Sequence, residues 1–151
     1  GAVAADGGFT TAEPSVAQKA EINKDEKTAI ARYAASLIER DDFVYLDAGT
    51  TTAVVGNQAI LSLQKLHFSK AFLGTNGVGL KAGFSTPDYS EALVKQTAVE
   101  QARQVFVLAD YSKFGNVSSV TFASLERGVI LTDRRPPESF GAVRNIKVVG
   151  E

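Results

Sequence analysis

The sequence predicts an α/β fold, a parallel-sheet sandwich. Segments with apolar residues at helical spacing alternate along the chain with short runs that are apolar at nearly every position. Such continuous runs suit strands of a parallel sheet covered on both faces, whereas a half-exposed strand would alternate apolar and polar residues. Several of the runs stop at an aspartate or a Gly/Asn turn, and 151 residues that are 44% hydrophobic can bury the core of one domain.

Residues 1–20 are small, rich in Gly, Ala and Thr and without periodicity, which predicts an arm or linker with a partial strand around Ala2 to Ala4. Residues 21–151 are expected to form the ordered domain. In "NKDEKTAIARYAASLIERDD", Asn23 is placed to cap a helix and Glu26 completes a variant of the capping box. Ile30, Ala31, Ala34, Leu37 and Ile38 then recur at helical spacing and are expected to face the core. Asp41 and Asp42 close the helix, and "FVYLDAG" follows as a short strand ending in a turn.

"GNQAILSLQKLHFS" predicts a second helix, with Asn57 as cap and Ala59, Ile60, Leu63 and Leu66 on one face. "KAFLGTNGV" reads as a strand that stops at a Thr-Asn-Gly turn. In "STPDYSEALVKQTAVEQARQ", Pro87 stands near the start of a third helix, Ser90 is the expected cap, and Leu93, Val94, Ala98 and Ala102 form its apolar stripe. "VFVLAD", "GVILTD" and "IKVVGE" supply three further strands.

Charge narrows the function. Lys+Arg 16 against Asp+Glu 17 lacks the basic excess that neutralises nucleic-acid phosphates, so the chain by itself is a poor DNA binder. Local donors can still hold a small anion. Without cysteine there is neither a disulfide framework nor a thiolate metal site. The single histidine, His67, has no second imidazole to share a metal and is expected to be half-buried and structural; no metal and no cofactor are expected. No run approaches the ~18 apolar residues of a membrane span, and no basic-then-apolar leader pattern is present, so a cytoplasmic protein without membrane contact is the expectation. With no methionine, the chain is expected to be a piece of a longer protein.

In an open parallel sheet, ligands bind beyond the carboxyl ends of the strands. Asp47 follows "FVYL", Gly74-Thr75-Asn76-Gly77 follows "KAFL", and Asp110 follows "VFVLA", so these residues are expected to converge at one sheet edge. In "YLDAGTTTAV", Gly49 lets the backbone approach a ligand, and the N–H groups of Thr50, Thr51 and Thr52 at a helix start would favour an anion. The same threonines would serve equally as a helix cap. The stretch lacks the Gly-Lys-Thr/Ser ending of a Walker loop, which disfavours nucleotide hydrolysis. In "ADYSKFG", Lys113 follows Asp110 by three residues; a carboxylate beside an ammonium suits a phosphorylated polyol, and a solvated turn would use the same residues. Glu91 and Lys95 have the spacing of a surface helix ion pair, the reading preferred for Glu91, while Lys95 could instead point into the cleft.

"YLDAGTTT", "KAFLGTNGV", "GFSTPDYSEALVKQTA", "ADYSKFG" and "GVILTD" occur in the order seen in the effector-binding domains of DeoR-type bacterial transcriptional repressors, which the chain resembles over nearly its whole length. "GAV" at the start resembles the tail of the "HGGAV" stretch that follows the family's winged helix-turn-helix, and "EPSVAQKAEINKDEKTAIARYAASLI" resembles its linking arm and first helix. Within the family, "FLGTNGV", "GFSTPD" and "DYSKFG" are most similar to fructose-operon repressors, which respond to fructose 1-phosphate. The resemblance implies a fold like that of ribose-5-phosphate isomerase and glucosamine-6-phosphate deaminase. It also implies a sugar-phosphate effector, operator DNA bound through an N-terminal domain absent from this chain, and a homo-oligomer.

Carried onto this sequence, Asp47, Gly49, Thr50, Thr51 and Thr52 match the phosphate and sugar loop. Gly74, Asn76 and Gly77 match the second strand-end loop, Lys95 the cleft-side helix, and Asp110 and Lys113 the third loop. One departure stands out. Family members carry a further segment between the threonine loop and "VGNQAIL", whereas here Ala53 and Val54 run directly into Val55 and Gly56; either that segment is deleted or the sequence omits it.

Two other readings remain. An aldose–ketose isomerase on the same fold would need a general base, for which Glu91 is available, but the acidic "DGADE" run of such enzymes is missing and Gly-Val-Gly-Leu follows Asn76. A purely structural dimerisation domain would leave the polar strand ends without a role.

Overall fold

A computed structural model describes residues 18, 21, 23–47 and 56–151, with only the backbone at 56 and 57. The expected arm, the strand at Ala2 to Ala4, and Gly49, Thr50, Thr51 and Thr52 lie outside the described residues.

Helix α1 (Lys24–Ser36) leads into strand β1 (Val44–Leu46), and α2 (Gly56–Leu63) precedes β2 (Phe68–Gly74). A short meander, β3 (Gly77–Gly79) and β4 (Gly83–Thr86), then leads to α3 (Tyr89–Gln101) and β5 (Ala102–Leu108). Strands β6 (Val120–Ala123), β7 (Val129–Thr132) and β8 (Ile146–Val148) complete the described elements. Five strands pair in the order β1-β2-β5-β7-β8, every pairing parallel, so the α/β expectation holds.

Side-chain alternation along these strands divides the interior in two. On one face, Phe72 of β2 and Leu131 of β7 pack with Ile30 and Ala34 of α1, joined by Val44, Phe106, Leu108 and Val129. Phe72 and Phe106 sit opposite in register with rings stacked 5.0 Å apart. On the other face, Leu73, Val105, Val107 and Ile130 pack with Ala92, Ala98 and Val99 of α3. Both faces are covered, which is why the strands carry so few polar positions.

The second face is completed by a sheet that sequence periodicity did not predict, the antiparallel β3-β4-β6. Its β3 is Gly-Val-Gly, too short and glycine-rich to register as a strand. Its buried residues Val78, Phe84 and Phe122 nonetheless close over α3, with the two phenylalanine rings 6.0 Å apart. Gly83 adopts φ +74°, and a side chain there would collide with the Ala123 carbonyl, so the β3–β4 turn requires glycine.

Several local expectations are corrected. Asn23 does precede α1, but in a left-handed conformation (φ 53°, ψ 44°) and without a side-chain cap hydrogen bond; its amide is engaged elsewhere. Ala31 and Ile38 are exposed, because α1 buries only Ile30 and Ala34 fully. Asn57 lies within α2, since that helix already includes Gly56, and Leu66 falls beyond its end. Asp88, not Ser90, caps α3, accepting from the Glu91 N–H at 2.7 Å. Ala102 opens β5 instead of ending the helical stripe. His67 is exposed, not half-buried.

Helix α1 carries no basic residue in its last turn. Lys70 of β2 supplies the cation: its Nζ donates to the Leu37 carbonyl at the helix C-cap (2.8 Å) and to Asp42 Oδ2 (2.6 Å). Hydrogen bonds from Lys70, the Glu39 N–H and the Ser69 hydroxyl hold the Asp42 carboxyl at about 2, below its ordinary 3.8. Among the described residues, no helix is long and apolar enough to cross a membrane.

A group whose folded pKa is depressed stabilises the fold above its unfolded pKa and loses that contribution as pH falls through the folded value. Stability should therefore decline between pH about 4 and about 2, and Asp42→Asn should flatten that part of the profile. Urea denaturation at stepped pH is the check; an unchanged acid slope in the variant would contradict the clasp.

Candidate functional site

Because all five strands of the large sheet run the same way, their carboxyl ends share one edge. A cavity of about 300 Å³ opens there, lined among others by Asp47, Gly74, Asn76, Lys95, Asp110 and Lys113. These are six of the seven expected site residues that fall within the described part. The seventh, Gly77, stands behind the wall: it is buried in β3, its carbonyl accepts from Thr75 Oγ1 at 2.8 Å, and an added Cβ would collide with the Asn116 carbonyl. Gly77 thus answers to packing.

Lys95 forms the floor. It rises from α3, is 2% exposed, and its ammonium contacts Asp47 Oδ2, Glu91 Oε1 (3.3 Å) and the Gly74 carbonyl (3.1 Å). The ring of Phe122 lies 5.6 Å from the same nitrogen. Asp47 Oδ2 also accepts from the Gly74 N–H at 3.1 Å. The i,i+4 spacing of Glu91 and Lys95 therefore marks a buried triad, correcting the surface-pair reading of Glu91, which lines the cavity. Sequence spacing alone could not reveal this, because the partner that draws the pair inward, Asp47, is 48 positions from Lys95.

The rim is built by the loop after β5. Asp110 is 4% exposed and caps the 3-10 turn Tyr111–Lys113. Its Oδ1 accepts from the Ser112 N–H (3.0 Å), the Ser112 hydroxyl and Asn23 Nδ2 (3.2 Å). Lys113 Nζ lies 4.0 Å from Asp110 Oδ2 with about a quarter of its side chain exposed. Thr75 is held by the Gly77 and Ser85 carbonyls, and Asn76 Oδ1 accepts from Thr86 Oγ1 at 3.4 Å. Lys27 and Ile30 of α1, together with Leu108, complete the lining; none of the three was expected. The helical period marked Ile30 as core but carries no signal that α1 crosses the strand tips.

Three lysines, Lys27, Lys95 and Lys113, thus meet three carboxylates, Asp47, Glu91 and Asp110, around one cavity. The lining holds cationic donors and carboxylate acceptors without a surplus of either sign, which suits a hydroxyl-rich molecule that both donates and accepts. Beneath it, the Tyr45 hydroxyl is buried and has no hydrogen-bond partner among the described residues. Burial, with the negative charges of Asp47 and Glu91 close by, pushes the phenol up to about 12.

A group whose folded pKa is raised stabilises the fold below its unfolded pKa and loses that contribution as pH rises. Tyr45→Phe is therefore expected to flatten the loss of stability between pH about 10 and about 12. At pH 7 it should be neutral or stabilising, because it removes an unpaired buried hydroxyl. Denaturation across that range is the measurement. Lys95→Met should cost about 3–5 kcal/mol by leaving the largely buried carboxylates of Asp47 and Glu91 without this cation; a loss of unfolding free energy in urea under a third of that would overturn the reading of the floor.

Comparison with known proteins now places the chain. The family model described as the DeoR C-terminal sensor domain matches residues 22–58 and 52–134. An uncharacterized HTH-type transcriptional regulator FruR of Bacillus subtilis is 36% identical over 80% of this chain and 66% of its own length. The HTH-type transcriptional regulator GlpR of Haloferax volcanii is 40% identical over 85% of this chain and 52% of its own length. A putative aga operon transcriptional repressor of Escherichia coli O157:H7 is 26% identical over 98% and 73%. The chain thus spans between about half and two thirds of the first two relatives. With a family-model match across most of its length and the strand-tip cavity in place, this chain belongs to the DeoR C-terminal sensor domain family.

Proposed function

We propose that this chain is the ligand-sensing domain of a sugar-operon transcriptional repressor, and that it binds a phosphorylated sugar, fructose 1-phosphate in the first instance, without catalysing a reaction on it. The observation that carries the proposal is the cavity at the strand tips, where Lys95 is locked by Asp47 and Glu91 at the floor while Asp110 and Lys113 stand at the rim. Names of relatives support the regulatory reading: FruR and GlpR are both HTH-type transcriptional regulators.

In this reading the described cavity grips the carbohydrate. Its balanced charges leave the phosphate to the backbone amides and hydroxyls of Gly49 to Thr52, a role proposed from their sequence because they lie outside the described residues. Residues 21–151 would form the sensing domain, 1–20 the arm to a DNA-binding part, and the assembly would be a homo-oligomer. The absence of catalysis is supported by Glu91: a general base must reach a carbon-bound proton, and this carboxylate is turned onto Lys95.

Calorimetry with fructose 1-phosphate, fructose 6-phosphate, tagatose 6-phosphate and ribose 5-phosphate should find saturable binding of at least one. Lys113→Ala should weaken it tenfold or more, since a hydrogen bond to a charged group contributes about 1.5–3 kcal/mol. Silence from all four at millimolar concentration would defeat the proposal. Exchange of substrate protons with solvent would favour the isomerase instead.

A further inference from the structure

The first turns of α1 fasten to the cavity rim from two directions. Asn23 Nδ2 donates to Asp110 Oδ1 (3.2 Å) and to Ser112 Oγ (3.4 Å). Glu26 Oε1 meets Arg134 Nη2 at 3.4 Å, and Arg134 Nε holds Asp133 Oδ2 at 2.7 Å. Asp133 Oδ1 in turn accepts from the Tyr111 N–H at 2.7 Å, and the Arg134 guanidinium lies 5.6 Å from the Tyr111 ring. Both routes end on the 3-10 turn Tyr111–Lys113, whose capping carboxylate and lysine line the cavity. Between them, Lys27 and Ile30 of α1 line the same cavity directly.

Asn23 is the one non-glycine residue with positive φ among the described residues. That conformation is costly for most side chains and tolerated best by Asn and Asp. It is held although the Asn23 side chain makes no cap hydrogen bond to the helix it precedes. The amide is instead spent on Asp110, across 87 positions of sequence. The bond from Asn23 is also longer than those from Ser112 to the same carboxylate, so among the described donors to Asp110 Oδ1 it is the weakest and the only one from outside the turn.

We propose that Asn23 is a positioning residue that couples cavity occupancy to the start of α1: its amide latches the helix onto Asp110, and a phosphorylated sugar bridging Lys27 with Asp110 and Lys113 tightens that latch. The inference rests on the sensing function proposed above and assigns the path by which occupancy reaches the N-terminal side of the domain. The ligand favours the docked helix because only docking brings Lys27 to the cavity. Loosening the latch therefore lowers apparent affinity by the fraction of undocked molecules. In the ladder β2-β5-β7 nothing has to move.

Asn23→Gly separates the latch from the helix start, because glycine accepts the left-handed backbone and no cap hydrogen bond is lost. Hydrogen exchange followed by mass spectrometry, on the whole chain with and without fructose 1-phosphate and with inorganic phosphate as a second probe, reads the outcome. In the unliganded variant, amides of residues 27–34 should exchange about fivefold faster than in the wild type, the loss expected for one hydrogen bond. Amides of β2 and β5 should keep their rates. Fructose 1-phosphate should slow α1 exchange in the wild type, and its affinity for the variant should fall by a similar factor. Asn23→Asp, which sets a second carboxylate against Asp110, should weaken binding further.

Equal α1 exchange in unliganded wild type and Asn23→Gly overturns the latch. Fructose 1-phosphate binding that leaves α1 exchange unchanged overturns the coupling alone. If no sugar phosphate binds the wild type, the sensing function itself falls, and the coupling with it.

Discussion

The ammonium of Lys95 is the constraint around which the rest is arranged. A cation at 2% exposure is tolerated only where charge and hydrogen-bond acceptors surround it, and leaving it unpaired would cost several kcal/mol. Asp47 from the tip of β1, Glu91 from its own helix and the Gly74 carbonyl from the tip of β2 meet that demand together. Satisfying one buried charge thus fixes two strand ends against α3. The floor of the cavity follows from this condition, as does the close approach of Gly74 to the Asp47 carboxylate (3.6 Å from an added Cβ).

The rim is organised differently. Asp110 is nearly as buried as Lys95, yet its hydrogen bonds come from uncharged donors in the turn that it caps and from Asn23, with the Lys113 ammonium farther off at 4.0 Å. Hydrogen bonds from uncharged donors to a carboxylate are individually weaker than a buried ion pair, and exchange among them is less costly. Floor and rim therefore differ in stiffness for a chemical reason: a charge triad that resists opening below, and a set of exchangeable hydrogen bonds above. The cavity is thus held by buried charge at its floor, while its α1 wall is fastened through the uncharged donors of the rim.

Much of this was readable from residues in order. The continuous apolar runs carried the parallel sheet, because burial on both faces leaves no polar alternation. Aspartates and Gly/Asn turns closing those runs marked the edge at which the cavity opens, because parallel strands must present their carboxyl ends together. Less was readable at short range. The β3-β4-β6 sheet escaped notice because two glycines flank the single strand former of Gly77-Val78-Gly79, and Gly77 is required there by close packing against Asn116. Asn23 looked like a cap because position predicts capping, but the competing acceptor, Asp110, is reached only through the fold.

The sequence by itself determined the α/β class, the sites at which each strand ends and the chemical types gathered there, since local periodicity and turn chemistry act over a few residues. Only the tertiary structure decided which of those groups meet. Glu91 turned from a surface pair into part of a buried triad, Gly77 lies packed in β3 and not on the cavity lining, and α1 is a wall of the cavity as well as a core helix. The reason is the same in each case: the deciding partner lies far away in the chain, and its distance in space is set by the packing of the whole sheet.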